Sequence, residues 1–379
     1  MKSEKFISKD EFRYNFIFYF VLLGLALVFG IFFVNSALLA MENTRNFSAG
    51  DKFLNHIISM GIGFFFGFIA FKFGNSFLRK KYAFIYLFLI LIGFLTYVLF
   101  YREIAEVHRW IYIGPFQFQP SELAKLLLPA IMASYYYRAR EKNNFFLNVI
   151  FPFIICAVPI FLIYIEPDLS TSVIVAVIFF FSVFISVKNP KYIITFLIIC
   201  MIIVIALFAF KDLLLKDYQV DRLNKTDNYQ MNQSLKAIEN GGILGTSPFG
   251  GELKYGVPES YSDFIMAVIG EEWGKLGIFM VISIFLFLAV QLVKMAYFTN
   301  DYITFAYSSL TAVWIFIQVT VNALVGLGVN FVPVTGVTLP LMSYGNSSLI
   351  ITLTSLFLSL GLIYNQYKII FTEDSDEKN

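Results

Sequence analysis

Charge is scarce in this chain of 379 residues: Asp, Glu, Lys and Arg together make up 14%, against about 25% in soluble globular proteins. That deficit excludes a water-soluble globule. Cysteine is scarcer still, and both copies, Cys156 and Cys200, lie inside apolar runs with no CxxC spacing and no neighbouring histidine. A disulfide framework or a zinc site is excluded on that spacing. The two histidines, His56 and His108, share no metal-type motif, so haem or a redox metal has nothing to hold it. The 28 basic and 26 acidic residues leave a net charge of +2, with the basic ones in short scattered clusters. No electrostatic footprint for nucleic acid is present.

What abounds instead is apolar: 58% of the residues are hydrophobic and 46 are Phe, in runs of about 20 residues that recur from end to end. The chain reads as an all-α, polytopic membrane protein. Its N-terminus, MKSEKFISKDEFRYN, is polar and basic, and the apolar stretch that follows, 16–34, is too long for a signal-peptide core and reads as a mature span. The pattern predicts ten transmembrane helices near 15–36, 53–71, 82–100, 123–137, 147–165, 169–187, 191–210, 263–293, 302–325 and 345–366. They form a single membrane domain over 15–366 between cytoplasmic segments 1–14 and 367–379, with a long loop, 211–262, before helix eight. That helix is too long for one perpendicular span, and Gly270, Gly274 and Gly277 allow it to bend or tilt.

Orientation follows from Lys and Arg. The termini and the even-numbered loops carry 16, whereas the short odd-numbered loops carry four: Arg45, Lys52, Arg102 and Arg109. Both termini are therefore expected in the cytoplasm, and the long loop outside.

Four polar constellations fall at the outer ends of these helices. The first is Arg109-Trp110 followed by Gln119-Pro120-Ser121-Glu122 and Lys125. Ser121 can cap a helix whose Glu122 and Lys125, three apart, share a face; a capped helix with an internal ion pair and a functional pair both satisfy that spacing. The second is Glu166-Pro167-Asp168, a tight turn whose Asp168 suits the N-terminus of helix six. The third begins with Asp221 and Arg222 in the long loop and continues through Pro258-Glu259 to Asp263, then Glu271, Glu272 and Lys275. Asp263 stands where an apolar helix begins, as a general base tuned by partial burial or as a plain cap. An i,i+4 pair of Glu271 with Lys275 would lower the cost of both charges in the membrane, a supporting role. The fourth is the uncharged, Gly- and Pro-rich run from Gly326 to Ser348, with Pro333, Thr335, Gly336, Ser343 and Tyr344. Irregular apolar backbone at membrane depth survives only when packed on protein or lining a cavity, so this is a re-entrant segment or, more simply, a hydrophobic surface turn.

Taken in order, these motifs resemble the SEDS family (shape, elongation, division and sporulation), the group of FtsW and RodA. The resemblance rests on Arg-Trp…Phe-Gln-Pro-Ser-Glu-x-x-Lys at 109–125, Pro-Asp-x-x-Thr at 167–171, the Gln…Gly-Gly-x-x-Gly run at 233–245, Pro-Glu-x-x-x-Asp-Phe-Ile at 258–265, Gly-Glu-Glu-x-Gly at 270–274 and Pro-Val-Thr-Gly-x-x-Leu-Pro-x-x-Ser-Tyr-Gly at 333–345. It implies a ten-helix peptidoglycan glycosyltransferase of the cytoplasmic membrane, with its active site outside. Such an enzyme polymerises lipid II and works with a class B penicillin-binding protein and other division or elongation proteins.

The family's essential aspartate falls on Asp263, its Arg-Trp pair on Arg109 and Trp110, and its Glu and Lys on Glu122 and Lys125. Two departures stand out: His-Thr-Asp-Phe reads Tyr261-Ser262-Asp263-Phe264, and Ser-Tyr-Gly-Gly ends in Asn346. The run from Arg109 to Glu122 and the Gly-Val-Thr-Leu-Pro-Leu at 336–341 lean toward the division, FtsW-like branch. In the expected reaction Asp263 deprotonates a sugar hydroxyl, while Arg109, Lys125, Arg222 or a divalent cation, magnesium or manganese, steadies the diphosphate; Ser343 and Tyr344 line the substrate, and no resident metal is expected. Two rivals are a flippase for the lipid-linked precursor, which would give Glu271, Glu272 and Lys275 the leading role, and a noncatalytic scaffold.

Overall fold

An apolar run in a bilayer satisfies its backbone only as a helix or a closed barrel, and the runs here fold as helices. The computed structural model describes residues 8–42, 48–101, 109–114, 116–209, 229–329 and 336–376. Along the chain come α1 (Lys9–Glu42), α2 (Ala49–Leu78), α3 (Ala83–Leu99), a two-stranded antiparallel ribbon of β1 (Ile111–Ile113) and β2 (Phe116–Phe118), and α4 (Pro120–Ala139). A π turn, Phe146–Ile150, leads into α5 (Phe151–Ile165), followed by α6 (Leu169–Ser186), α7 (Pro190–Ala209), α8 (Tyr229–Gly241), α9 (Ile265–Phe298), α10 (Tyr302–Gly326) and α11 (Asn346–Asp376).

Ten of these helices lie where the apolar runs predict them. Seven segments are long and apolar enough to cross a membrane, and α3 and α7 contribute shorter apolar helices. The other expected span, α4, carries the Glu122–Lys125 pair and is almost wholly buried by its neighbours. The sequence reading misses α8 because its inner face, Met231, Ser234, Ala237, Ile238 and Gly241, is built mostly from small residues. Hydropathy does not register such a face, although its helical period is clear. The ribbon is missed too, although Ile-Tyr-Ile and Phe-Gln-Phe flank Gly114 at φ +60° as a hairpin pattern would require.

The centre of the bundle is α11, lying along α2. Gly63 and Gly67, a GxxxG pair on α2, face Leu353 and Phe357: a Cβ at Gly63 would sit 2.8 Å from Leu353 Cδ1, and one at Gly67 3.1 Å from Phe357. Small residues at a helix crossing let the two backbones approach, which in a membrane replaces the hydrophobic driving force.

At Gly274 (φ 68°, ψ −168°) α9 is interrupted. The break frees donors that an unbroken helix would use itself, and the loop after α8 takes them: the N–H groups of Lys275 and Leu276 donate to the carbonyls of Gly242 and Ile243 at 3.0 and 3.2 Å. In return, the N–H and hydroxyl of Thr246 donate to the Glu271 carbonyl. This overturns the expected Glu271–Lys275 pair, because the break between them removes the i,i+4 geometry.

Glu271 instead accepts from the N–H groups of Leu253 and Lys254 at 2.9 and 2.7 Å and from Asn240 Nδ2 at 3.0 Å. Glu272 pairs with Lys254 Nζ at 2.5 Å and also accepts from Ser36 and from the Phe249 N–H. Two buried carboxylates thus rivet loop 242–256 to α9 and α1.

Two outcomes follow from this packing. Gly63→Leu should drive a side chain into Leu353 and lower stability by about 1–3 kcal/mol, read as a drop in thermal unfolding temperature in detergent. Glu272→Gln should cost about 3–5 kcal/mol by leaving Lys254 charged and unpaired in the interior, and adding Lys254→Met should recover most of that loss in the same assay.

Candidate functional site

Pro120 at the first helical position starts α4 before Ser121, so Ser121 is not its cap. Its hydroxyl turns instead to Asp168 Oδ2 at 3.0 Å, joined there by Gln119 Nε2 at 2.7 Å. Asp168 caps α6 as expected, accepting from the Thr171 N–H at 3.1 Å. One carboxylate therefore ties the start of α4 to the start of α6.

One turn into α4, Glu122 and Lys125 form the expected i,i+3 ion pair at 2.6 Å, and Lys125, 1% exposed, also donates to Gln318 Oε1 on α10 at 2.9 Å. A lysine this buried and committed is a structural anchor more than a free cation for substrate. Arg109 is half-buried and directs Nε at the Glu166 carbonyl, 2.6 Å away; Trp110 beside it is half-buried at the start of β1.

Asp263 precedes α9 but is not its cap, which is Phe264, and it is half-buried at the rim of the bundle. Its turn is held by four contacts from the opposite side. Asn322 Nδ2 donates to the Asp263 carbonyl at 2.9 Å, Ser343 Oγ to the Ser262 carbonyl at 2.6 Å, and the Tyr344 N–H to the Tyr261 carbonyl at 2.8 Å. Lys52 Nζ on α2 donates to the Tyr261 hydroxyl at 3.0 Å and lies over that ring.

The segment facing Asp263, 336–345, is no surface turn: Val337, Leu339, Leu341 and Met342 are buried. At Gly336 of this segment a Cβ would lie 3.2 Å from Asp263 Oδ2, so any larger residue there would press on the carboxylate. The same segment reaches the ribbon through Ser347, which accepts from the Gln119 N–H at 2.8 Å and donates to the Gln117 carbonyl at 3.1 Å.

The structure thus draws Asp263, Ser343 and Tyr344 into one rim, and links Glu122 and Lys125 to it through Gln318. It sets Arg109 and Asp168 at the α5–α6 turn, and keeps Glu271, Glu272 and Lys275 on the loop clamp behind. Arg222, Pro333 and Thr335 lie outside the described residues. Lys52 enters the sequence reading only as a loop charge, and Gln318 and Asn322 are given no role there; the last two are amides in a largely apolar helix, and that isolation is the signal that marks them. Among the described residues no three His, Cys, Asp or Glu side chains converge as a metal site.

Glu166 is fully buried, and neither of its carboxyl oxygens has a partner among the described residues. Burial first, and the neighbouring Asp168 second, push its carboxyl up to about 9 against the pull of Arg109. The group is neutral near pH 7. Because the folded value lies above the unfolded 4.5, the unfolded chain releases this proton first, and stability is lost as pH rises from 4.5 to about 9. Glu166→Gln should remove that slope and raise the thermal midpoint at neutral and alkaline pH; a midpoint that still falls equally steeply across this range refutes the assignment.

Comparison with known proteins agrees with this geometry. Residues 16–368 match the family model for FtsW, RodA and SpoVE, described as cell cycle protein. "Probable peptidoglycan glycosyltransferase FtsW" of Borreliella burgdorferi is 32% identical over 366 residues, covering 92% of this chain and 96% of that protein. The protein of the same description from Wigglesworthia glossinidia brevipalpis is 30% identical over 92% of this chain and 93% of its own. Among solved structures, the Thermus thermophilus rod shape determining protein RodA superposes with a TM-score of 0.65 at 25% identity, covering 92% of this chain and 96% of that one. A chain from a structure described as "Structural coordination of polymerization and crosslinking by a peptidoglycan synthase complex" gives 0.68 at 28% identity, covering 89% and 98%. A match of this extent, over the helices that carry Asp263 and its partners, shows that the chain belongs to the FtsW/RodA/SpoVE family.

Proposed function

We propose that this chain is a peptidoglycan glycosyltransferase that polymerises lipid II at the outer face of the cytoplasmic membrane, with Asp263 as its general base. The observation that carries the reading is the half-buried Asp263 at the start of an apolar helix, its turn held by Asn322, Ser343 and Tyr344, with Gly336 packed close to its carboxylate. The relatives' description as peptidoglycan glycosyltransferases supports the activity.

Asp263 takes the proton of the acceptor's 4-hydroxyl as its oxygen attacks the anomeric carbon of the donor sugar. The bond from that carbon to the phosphate oxygen breaks, and the lipid diphosphate leaves with the electron pair. One displacement of this kind inverts the anomeric centre. The half-buried Arg109 is the better placed cation for the diphosphate, since Lys125 is neutralised by Glu122.

All ten long helices cross the membrane in this reading, with both termini inside as the Lys and Arg distribution requires. A class B penicillin-binding protein crosslinks the product, a partnership supported by the peptidoglycan synthase complex among the structural relatives. The flippase alternative needs coupling charges near the midplane. Glu271 and Glu272 are instead saturated by loop N–H groups, Lys254 and Ser36, which favours the enzyme.

The test is purified protein incubated with labelled lipid II. Wild type should yield glycan polymer, and Asp263→Asn should lose about 10²–10⁴-fold in rate while keeping its thermal midpoint. Polymer at the wild-type rate from the variant removes Asp263 as base, and translocation in vesicles without polymer selects the flippase.

A further inference from the structure

Two amide side chains one turn apart on α10 stand between the constellations described above. Gln318 Oε1 accepts from Lys125 Nζ at 2.9 Å, and its Nε2 donates to the Thr338 carbonyl at 2.8 Å. Asn322 Nδ2 donates both to the Asp263 carbonyl at 2.9 Å and to the Val337 carbonyl at 2.7 Å. Consecutive carbonyls of the re-entrant segment, 337 and 338, are thus gripped from consecutive turns of one helix. From those turns Gln318 reaches back to the Glu122–Lys125 pair and Asn322 to the turn of Asp263.

The orientation of Asn322 is fixed by chemistry. Both Nδ2 partners are carbonyl oxygens, which only accept, so the amide cannot be reversed. Its Oδ1 is then buried with no partner among the described residues, and the residue is 1% exposed. An unmet buried acceptor destabilises by about 1–3 kcal/mol, which offsets what the two donated bonds contribute to stability. What Asn322 supplies is therefore placement: it fixes two carbonyls relative to each other.

We propose that Asn322 and Gln318 are positioning residues: a two-rung ladder on α10 that sets the spacing between the general base, the re-entrant wall facing it and the Glu122–Lys125 pair. The rungs are about 6 Å apart along a rigid helix axis, so the loops at the rim inherit the precision of a helix. The proposal rests on the reading of Asp263 as base for its effect on rate, but not for its effect on backbone order.

The experiment uses the full chain in lipid nanodiscs, with Asn322→Leu, Gln318→Leu, the double variant and Asp263→Asn in parallel. Asn322→Leu removes the unmet Oδ1 but strands the Asp263 and Val337 carbonyls, so the thermal midpoint should move little or fall modestly; kcat for lipid II should fall about 10–100-fold, as an ångström-scale misplacement does, with KM within about twofold. Amide hydrogen exchange should speed up in both 258–264 and 336–343, and the double variant should lose less than the product of the single losses, because both rungs hold one segment. Should Asn322→Leu not fold, Asn322→Asp, which sets a carboxylate against both carbonyls, is read by the same measures.

Unchanged exchange in the two segments, or a raised KM with kcat intact, overturns the ladder. If Asp263→Asn still polymerises while Asn322→Leu loosens both segments, the base assignment fails and the ladder stands.

Discussion

The arrangement depends on the interruption of α9 at Gly274 and the two carboxylates just before it. A helix running unbroken from the outer rim would have no donors to spare for the loop beside it. By leaving the α-helical path at Gly274, α9 offers two N–H groups to loop 242–256, and Glu271 and Glu272 accept that loop's own donors in return. Asp263 lies between the loop and the helix so joined. Its position at the rim follows from a clamp more than a helical turn away, whose two carboxylates and Lys254 are buried.

The carboxylates at the outer side divide by environment. Glu122 is neutralised by a buried ammonium, Asp168 caps a helix and gathers two side-chain donors, Glu271 and Glu272 hold a loop, and Glu166 is neutral in a dry turn. Asp263 differs from these in being only partly buried, where the others are buried. Proton transfer needs a carboxylate that a substrate hydroxyl can reach, and that criterion separates it from five acids of the same two residue types.

Much of this was legible before any coordinates. Apolar runs gave the ten long helices, the Pro-Asp turn gave the cap of α6, and three-residue spacing gave the Glu122–Lys125 pair, because each is a local property of the chain. The failures share a cause as well. Lys254 finds Glu272, Gln318 finds Lys125 and Asn322 finds the Asp263 carbonyl only through tertiary contact, and no spacing rule anticipates such a meeting. Glu271 and Lys275 illustrate the converse, a correct i,i+4 spacing cancelled by one glycine whose φ the sequence permits but does not require.

The segment from Gly336 to Ser348 joins the Asp263 turn, the ribbon and α10, and it leads directly into α11. It is synthesised after the Asp263 turn and the ribbon that it holds together. Until α11 enters the bilayer against α2, Asp263 has no facing wall and the Gln119 N–H has no Ser347 to receive it. The geometry of the rim is therefore tied to the docking of α11 on α2: a chain in which that helix pair is open carries Asp263 without the wall opposite it.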